Sequence, residues 1–220
     1  MYKLVIFDLD GTLLYTLKDL AVSTNHALEE CGFPTHPLEA YNHFVGNGIR
    51  KLFERALPEE ARNEDNILKI RTLFLAHYDR HCCDHTRPYE GVPRLLEQLQ
   101  ERGVQMAVAS NKYQQAASLL ISHFFPTLRF AAVYGQREGV PLKPNPAVVE
   151  EIMKEAGVAR EETLYVGDSG VDITTARNAG VSQVSVTWGF CTRKELEENK
   201  PYFLCESPCE IWENFFLPRT

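Results

Sequence analysis

Lys3-Leu4-Val5-Ile6-Phe7-Asp8-Leu9-Asp10-Gly11-Thr12 is the stretch on which the fold turns. Apolar and aliphatic-stemmed residues run directly into two carboxylates spaced by one residue, and then into a glycine that lets the backbone turn sharply. Such a run, bounded by a turn signal, suits a strand covered on both faces, as in a parallel sheet. Parallel sheets bind their ligands at the carboxyl ends of the strands, which is where Asp8 and Asp10 would sit. One Asp before Gly would read as a strand end or a helix cap. Two, behind a buried strand, point to chemistry.

Working outward, the pattern changes from strand to helix. Leu17, Leu20, Ala21, Thr24, Ala27 and Leu28 recur at helical spacing, and the helix should stop near Cys31-Gly32-Phe33-Pro34. Two more apolar stripes follow, over Ile49–Leu57 and Ile67–His77, with no convincing strand before about Pro88. Residues 15–86 therefore read as a helical insert, and 1–14 with 87–220 as the core around it. From Val92 the chain alternates. Helices are predicted over 92–102, 114–123, 146–156 and 170–179, with strands over 104–109, 130–134, 163–166 and 181–187. An edge strand at 202–205 and a helix over 209–216 complete it. This alternation specifies an α/β fold, a Rossmann-like parallel sheet with helices on both faces.

Bulk properties narrow the function classes. The 220 residues carry a formal charge of -7, and the 23 basic residues form no run that would track a phosphate backbone, so nucleic acid is not an expected partner. No secretory signal and no run of 18 apolar residues is visible, so a soluble cytoplasmic protein with no membrane partner is expected, as monomer or homodimer. The six cysteines are expected to be reduced. His77, His81 and His85 share four-residue spacing, but no Cys-x-x-Cys accompanies them, and no structural zinc is expected.

Four segments place polar residues at strand ends: Asp8 with Asp10, Ser110 with Asn111, Lys143, and Asp168 with Asp172. In order and type they resemble the four motifs of the haloacid dehalogenase superfamily, in its phosphatase form with aspartates at both positions of the first motif. The resemblance covers nearly the whole chain and makes the insert a small helical cap. It implies Asp8 as nucleophile forming an aspartyl-phosphate, and Asp10 as acid/base. Thr12 would orient Asp10 and join Ser110, Asn111 and Lys143 around the phosphate. Mg²⁺ would be held by Asp8, the Asp10 carbonyl and Asp168. Asp172 would reach the metal's waters or hold Lys143. Mg²⁺ is hard and takes oxygen ligands, as this set supplies.

Within the superfamily, Ser110-Asn111-Lys112, Arg87-Pro88-Tyr89-Glu90-Gly91-Val92 and Phe44-Val45-Gly46-Asn47-Gly48-Ile49-Arg50 look most like the phosphoglycolate phosphatase branch. The expected substrate is a small phosphorylated metabolite, with Arg50 reaching its carboxylate and Tyr15 shaping the leaving-group side. Tyr15 is a departure, since relatives commonly carry an acid or amide there. Two alternatives remain. An inorganic pyrophosphatase would need cap cations such as Arg50 and Lys51, and a slow phospho-acceptor module would not need Asp10.

Overall fold

The computed structural model describes residues 1–217. In chain order the elements are β1 (Leu4–Phe7), β2 (Leu14–Tyr15), α1 (Leu17–Glu30), α2 (Tyr41–Phe44), α3 (Ile49–Ala56), α4 (Glu64–His81) and β3 (Arg87–Pro88). There follow α5 (Val92–Glu101), β4 (Gln105–Tyr113), α6 (Gln114–Phe124), β5 (Ala132–Gln136), α7 (Ala147–Ala156), β6 (Thr163–Gly167) and α8 (Gly170–Ala179). The last are β7 (Ser182–Val186), α9 (Arg193–Glu198), β8 (Phe203–Cys205) and α10 (Pro208–Phe215).

Six strands form one sheet in the order β5-β4-β1-β6-β7-β8, and every pairing in it is parallel. The chain builds outward from β1 to one side, through β4 and β5, and then returns to build β6, β7 and β8 on the other. Ligand sites of open sheets lie where the order reverses, so β1 and its neighbours β4 and β6 should carry the site.

Alternation along β1 divides the core into two layers. Val5 and Phe7 join the apolar cluster that includes α5, α6 and α10, while Leu4 and Ile6 face the cluster built on α7 and α8. Burial on both faces is why β1 is a continuous apolar run. The first cluster extends without a break into the cap helices, through Leu14, Leu17, Leu20, Ile70 and Phe74.

The chain leaves the core and returns to it side by side. β2 and β3 pair antiparallel, Leu14 opposite Pro88 and Tyr15 opposite Arg87. Asp19, fully buried on α1, fastens the return by accepting hydrogen bonds from the backbone of His85 and Thr86 and from the Thr86 hydroxyl. This two-residue ribbon, the short α9 and a β4 that runs on to Tyr113 differ from the expectations above. Such short pieces carry no period to read. β4 continues through Ser110-Asn111-Lys112 because an irregularity between Ala109 and Tyr113 lets an otherwise loop-like triplet stay in the sheet. Among the described residues, no helix is long and apolar enough to cross a membrane.

Candidate active site

The carboxyl ends of β1, β4 and β6 converge on four carboxylates and two lysines. Asp8 follows β1 directly. Its Oδ1 accepts from the backbone of Leu9 at 2.7 Å and from Lys143 Nζ at 3.0 Å, so both contacts fall on one oxygen. Burial is the main reason the Asp8 carboxyl is pushed up to about 7. Lys143 opposes that rise, and Asp172 and Asp10 add to it.

Lys143 sits on the loop before α7, 4% exposed. Its Nζ reaches Asp172 Oδ1 at 2.8 Å and the Tyr165 hydroxyl at 3.1 Å besides Asp8. An ammonium has three donors, and this one uses all three. Asp172 is equally committed. Its Oδ1 takes Lys143 and Tyr165, and its Oδ2 takes the hydroxyl and backbone N–H of Ser169, closing a capping box at the start of α8. Of the two expected tasks for Asp172, the geometry provides the holding of Lys143.

Asp168 ends β6. Its Oδ1 accepts from the Thr12 hydroxyl at 3.1 Å and its Oδ2 from the backbone of Phe190 at 2.7 Å. A Cβ on Gly11 would lie 2.2 Å from Asp168 Oδ2, and one on Gly189 would lie 2.3 Å from it, so the carboxylate occupies a slot only glycine leaves open. Burial raises the Asp168 carboxyl well above the usual range, and the Asp172 and Asp8 charges raise it further. Carboxylate oxygens of Asp8, Asp168 and Asp172 lie within 4.8 Å of one another. Counting Asp10, four carboxylates face the two ammoniums of Lys143 and Lys112, which leaves two negative charges in a buried all-oxygen site. A hard divalent cation such as Mg²⁺ fits that donor set and that charge. With Asp172 saturated, Asp8 and Asp168 are the side chains left to hold it.

Asp10 stands apart from that cluster. Its Oδ1 accepts from the Thr16 hydroxyl at 2.7 Å and from Lys112 Nζ at 3.1 Å. The expectation that Thr12 orients Asp10 is therefore corrected. The turn at Gly11, with φ of 85°, sends the Thr12 hydroxyl to Asp168, and Thr16 takes the place beside Asp10. Above Asp8 and Asp10 the cap leaves a cavity of about 50 Å³, lined by Leu20, the 45–49 loop, Leu52, Phe74 and the 110–113 segment.

Three other expectations meet the geometry differently. Asn111 lines this space, but its amide is already committed. It spends Oδ1 on the backbone of Lys143 and Nδ2 on the carbonyls of Lys143 and Gly46, bracing the lysine loop and the cap loop together. Arg50 is absent from the cavity lining, bidentate to Glu64 and bonded to Glu54, with its side chain 55% exposed. Its distance from the site follows from the helix face it shares with Glu54, four residues on. Tyr15 lies in the ribbon, edge-on to Tyr89 and Phe190 and beneath the Arg87 guanidinium, outside the cavity lining. Ser110, buried at the carboxyl end of the sheet, does line it. Thr16, Lys112 and Tyr165 went unassigned. A threonine six residues past an acid and a tyrosine inside a strand carry no signal of their own, and Lys112, within β4, stands out only as the last residue of the branch-like Ser110-Asn111-Lys112 triplet.

The haloacid dehalogenase-like hydrolase family model matches residues 5–186, which takes in Asp8, Asp10, Ser110, Lys143, Asp168 and Asp172. The chain belongs to this family. Among curated proteins the hydrolase is 36% identical over 203 residues to the phosphoglycolate phosphatase of Mesorhizobium japonicum, covering 90% of its own length and 88% of that protein. It is 33% identical over 216 residues to that of Vibrio parahaemolyticus, covering 96% and 95%. Among solved structures it superposes with a TM-score of 0.90 on one described as a predicted phosphoglycolate phosphatase from Haemophilus somnus, at 30% identity over 97% of each chain. These likenesses place the hydrolase in the phosphoglycolate phosphatase-like branch.

Proposed function

We propose that the hydrolase is a Mg²⁺-dependent phosphomonoesterase of the cytoplasm, acting on a small phosphorylated metabolite of the 2-phosphoglycolate kind through an aspartyl-phosphate. The observation that carries the reading is the contrast between two carboxylates two residues apart. Asp8 sits with Lys143 in the buried cluster, whereas Asp10 sits with Thr16 and Lys112 at the floor of the cap cavity. One environment suits a nucleophile and the other an acid. Six free cysteines suit a reducing compartment.

Asp8 attacks phosphorus through Oδ2, the oxygen that neither Leu9 nor Lys143 occupies. The bond to the leaving oxygen breaks as Asp10 gives it a proton. Asp10 then takes a proton from water, which attacks the phosphorus and frees Asp8 and inorganic phosphate. Lys143 and Ser110 bear on the phosphoryl oxygens, where charge spreads in the transition state. Mg²⁺, held by Asp8, Asp168 and the backbone carbonyl of Asp10, would offset the repulsion between the phosphoryl dianion and Asp8. The cap, residues 15–86, excludes water over this site.

Phosphate release in Mg²⁺ tests the reading, with 2-phosphoglycolate, pyrophosphate, sugar phosphates and an aryl phosphate as substrates and Asp8→Asn as control. Release by the wild type and none by Asp8→Asn is the expected result. Equal release by both overturns it. As for the pyrophosphatase alternative, its cap cations Arg50 and Lys51 pair with Glu64 and Glu54 and are not among the residues lining the cavity.

A further inference from the structure

We propose that Cys82 and Cys83, at the end of α4, form a dithiol binding site for trivalent arsenicals. Neither residue lines the cavity above Asp8 and Asp10, so the inference stands apart from the phosphatase reading.

Neighbouring side chains point to opposite sides of an extended chain. Here the chain is not extended. Cys82 caps α4 with φ of -69° and ψ of -7°, and the two thiols come together with their Sγ atoms 3.9 Å apart. All six cysteines are free, and among the described residues no second pair of thiols is in hydrogen-bonding contact.

That separation decides what can join them. A disulfide holds its sulfurs ~2.05 Å apart and its Cα atoms usually ~4.4–6.8 Å apart. Cys82 and Cys83 are linked by a trans peptide, which keeps neighbouring Cα atoms ~3.8 Å apart, so a direct bond is disfavoured. One bridging atom with bonds of about 2.3 Å to sulfur, the length of a zinc–thiolate bond, spans about 3.3–3.8 Å at angles of about 90–110°. The pair already stands close to that span. Zinc itself takes three or four protein ligands, and among the described residues only Asp8, Asp168 and Asp172 bring three such groups within 4.8 Å of one another. Trivalent arsenic asks for two thiols and keeps its third valence for an aryl or hydroxyl group.

The protonation of the pair suits this chemistry. Burial is the main reason that the Cys82 thiol is pushed up to about 12 and the Cys83 thiol is raised, and the Lys112 charge opposes the rise at Cys82. Peroxides and disulfides react with thiolates, so these thiols resist them. An aryl arsenoxide condenses with thiols instead. Two As–S bonds form as the As=O bond breaks, both S–H protons leave with the oxygen as water, and arsenic stays trivalent. Cys83, half-buried, meets the reagent first, and Cys82, 3% exposed, closes the ring. Closure is intramolecular, and the resulting effective concentration lets the pair outcompete a monothiol.

The test is the intact mass of the reduced full chain after treatment with phenylarsine oxide in excess glutathione, a monothiol. The wild type should gain one arsenical per chain with loss of one water, hold it against glutathione, and release it to 2,3-dimercaptopropanol. Cys83→Ser and Cys82→Ala should each weaken retention by at least about 100-fold. Cys31→Ser, Cys191→Ser and Cys209→Ser should leave it unchanged, and saturating Mg²⁺ with inorganic phosphate should not protect. An adduct that glutathione strips from the wild type, or that Cys83→Ser retains, overturns the proposal. So does protection by Mg²⁺ and phosphate, which would move the adduct to the site of Asp8. Should Cys82→Ala not fold, Cys83→Ser decides, with a thermal melt to show that it is folded.

Discussion

Two threonines four residues apart are expected to fail in different ways when their hydroxyls are removed. Thr16 donates to Asp10 Oδ1 at 2.7 Å and is fully buried, so Thr16→Val keeps the shape and deletes one of the two donors that aim the acid. A hydrogen bond to a charged group contributes ~1.5–3 kcal/mol, so hydrolysis of ethyl phosphate should slow by about 10- to 100-fold. Acetyl phosphate is nearly the same size, but its leaving acetate needs no proton, and it should slow by less than about fivefold. Thr12 donates instead to Asp168 Oδ1 at 3.1 Å. Thr12→Val removes support from a carboxylate expected to hold Mg²⁺, so half-activation should require about 10- to 100-fold more metal, with the ethyl-to-acetyl ratio unmoved. Steady-state kinetics at several Mg²⁺ concentrations read both. If Thr16→Val shifts the metal requirement and spares the leaving-group ratio, or Thr12→Val does the reverse, the division of labour between Asp10 and Asp168 is refuted.

Three further outcomes are expected. At 100 times its dissociation constant, Mg²⁺ should stabilise the protein by about 2.7 kcal/mol and raise Tm by about 5–10 °C. The shift should be smaller at pH 6 than at pH 8, because Asp8, pushed up to about 7, must lose its proton to bind; equal shifts in calorimetry would count against the cluster. His77 is stacked between His26 and His81 and bonded to Ser23, and burial with these neighbours lowers its pKa. The unfolded chain then takes up the proton first, so Tm should fall as pH drops through the ordinary histidine value of ~6.5. His77→Phe should flatten that fall, and an unchanged slope would remove His77 as its cause. Arg50→Ala, cutting only surface ion pairs, should change kcat/KM by less than about twofold; a larger loss in the kinetic panel would restore it to the substrate.

The parallel sheet was legible because each of its central strands is a run buried on both faces, and the polar residue that ends such a run stands out. β1 with Asp8 and β6 with Asp168 are examples. What the sequence left open was direction. Whether Thr12 or Thr16 meets Asp10 depends on the turn at Gly11, which spacing alone does not determine. Tyr165 reads as an ordinary core residue of a buried strand, yet its hydroxyl joins Lys143 to Asp172. Arg50 follows a glycine turn that suggested an approach to the substrate. The neighbouring signal, Glu54 four residues on, was the better guide to where its side chain lies. The ribbon at the cap junction is too short for any period to mark it.

That ribbon gives the molecule an unusual freedom to vary. Leu14 and Pro88 are ladder partners, so the core is interrupted at one point only and sees the seventy-odd residues between them as a loop with its ends already tied. Loop closure penalises added length only weakly, about 0.6 kcal/mol per doubling. A segment whose two ends meet at strand-pair spacing can be spliced there provided it also replaces the Gly46 carbonyl that Asn111 leans on beside the Lys143 loop. Asp8, Lys143 and Asp168 thus stay on the core side of the junction, while Thr16 beside Asp10 and the cap part of the cavity lining travel with the spliced segment.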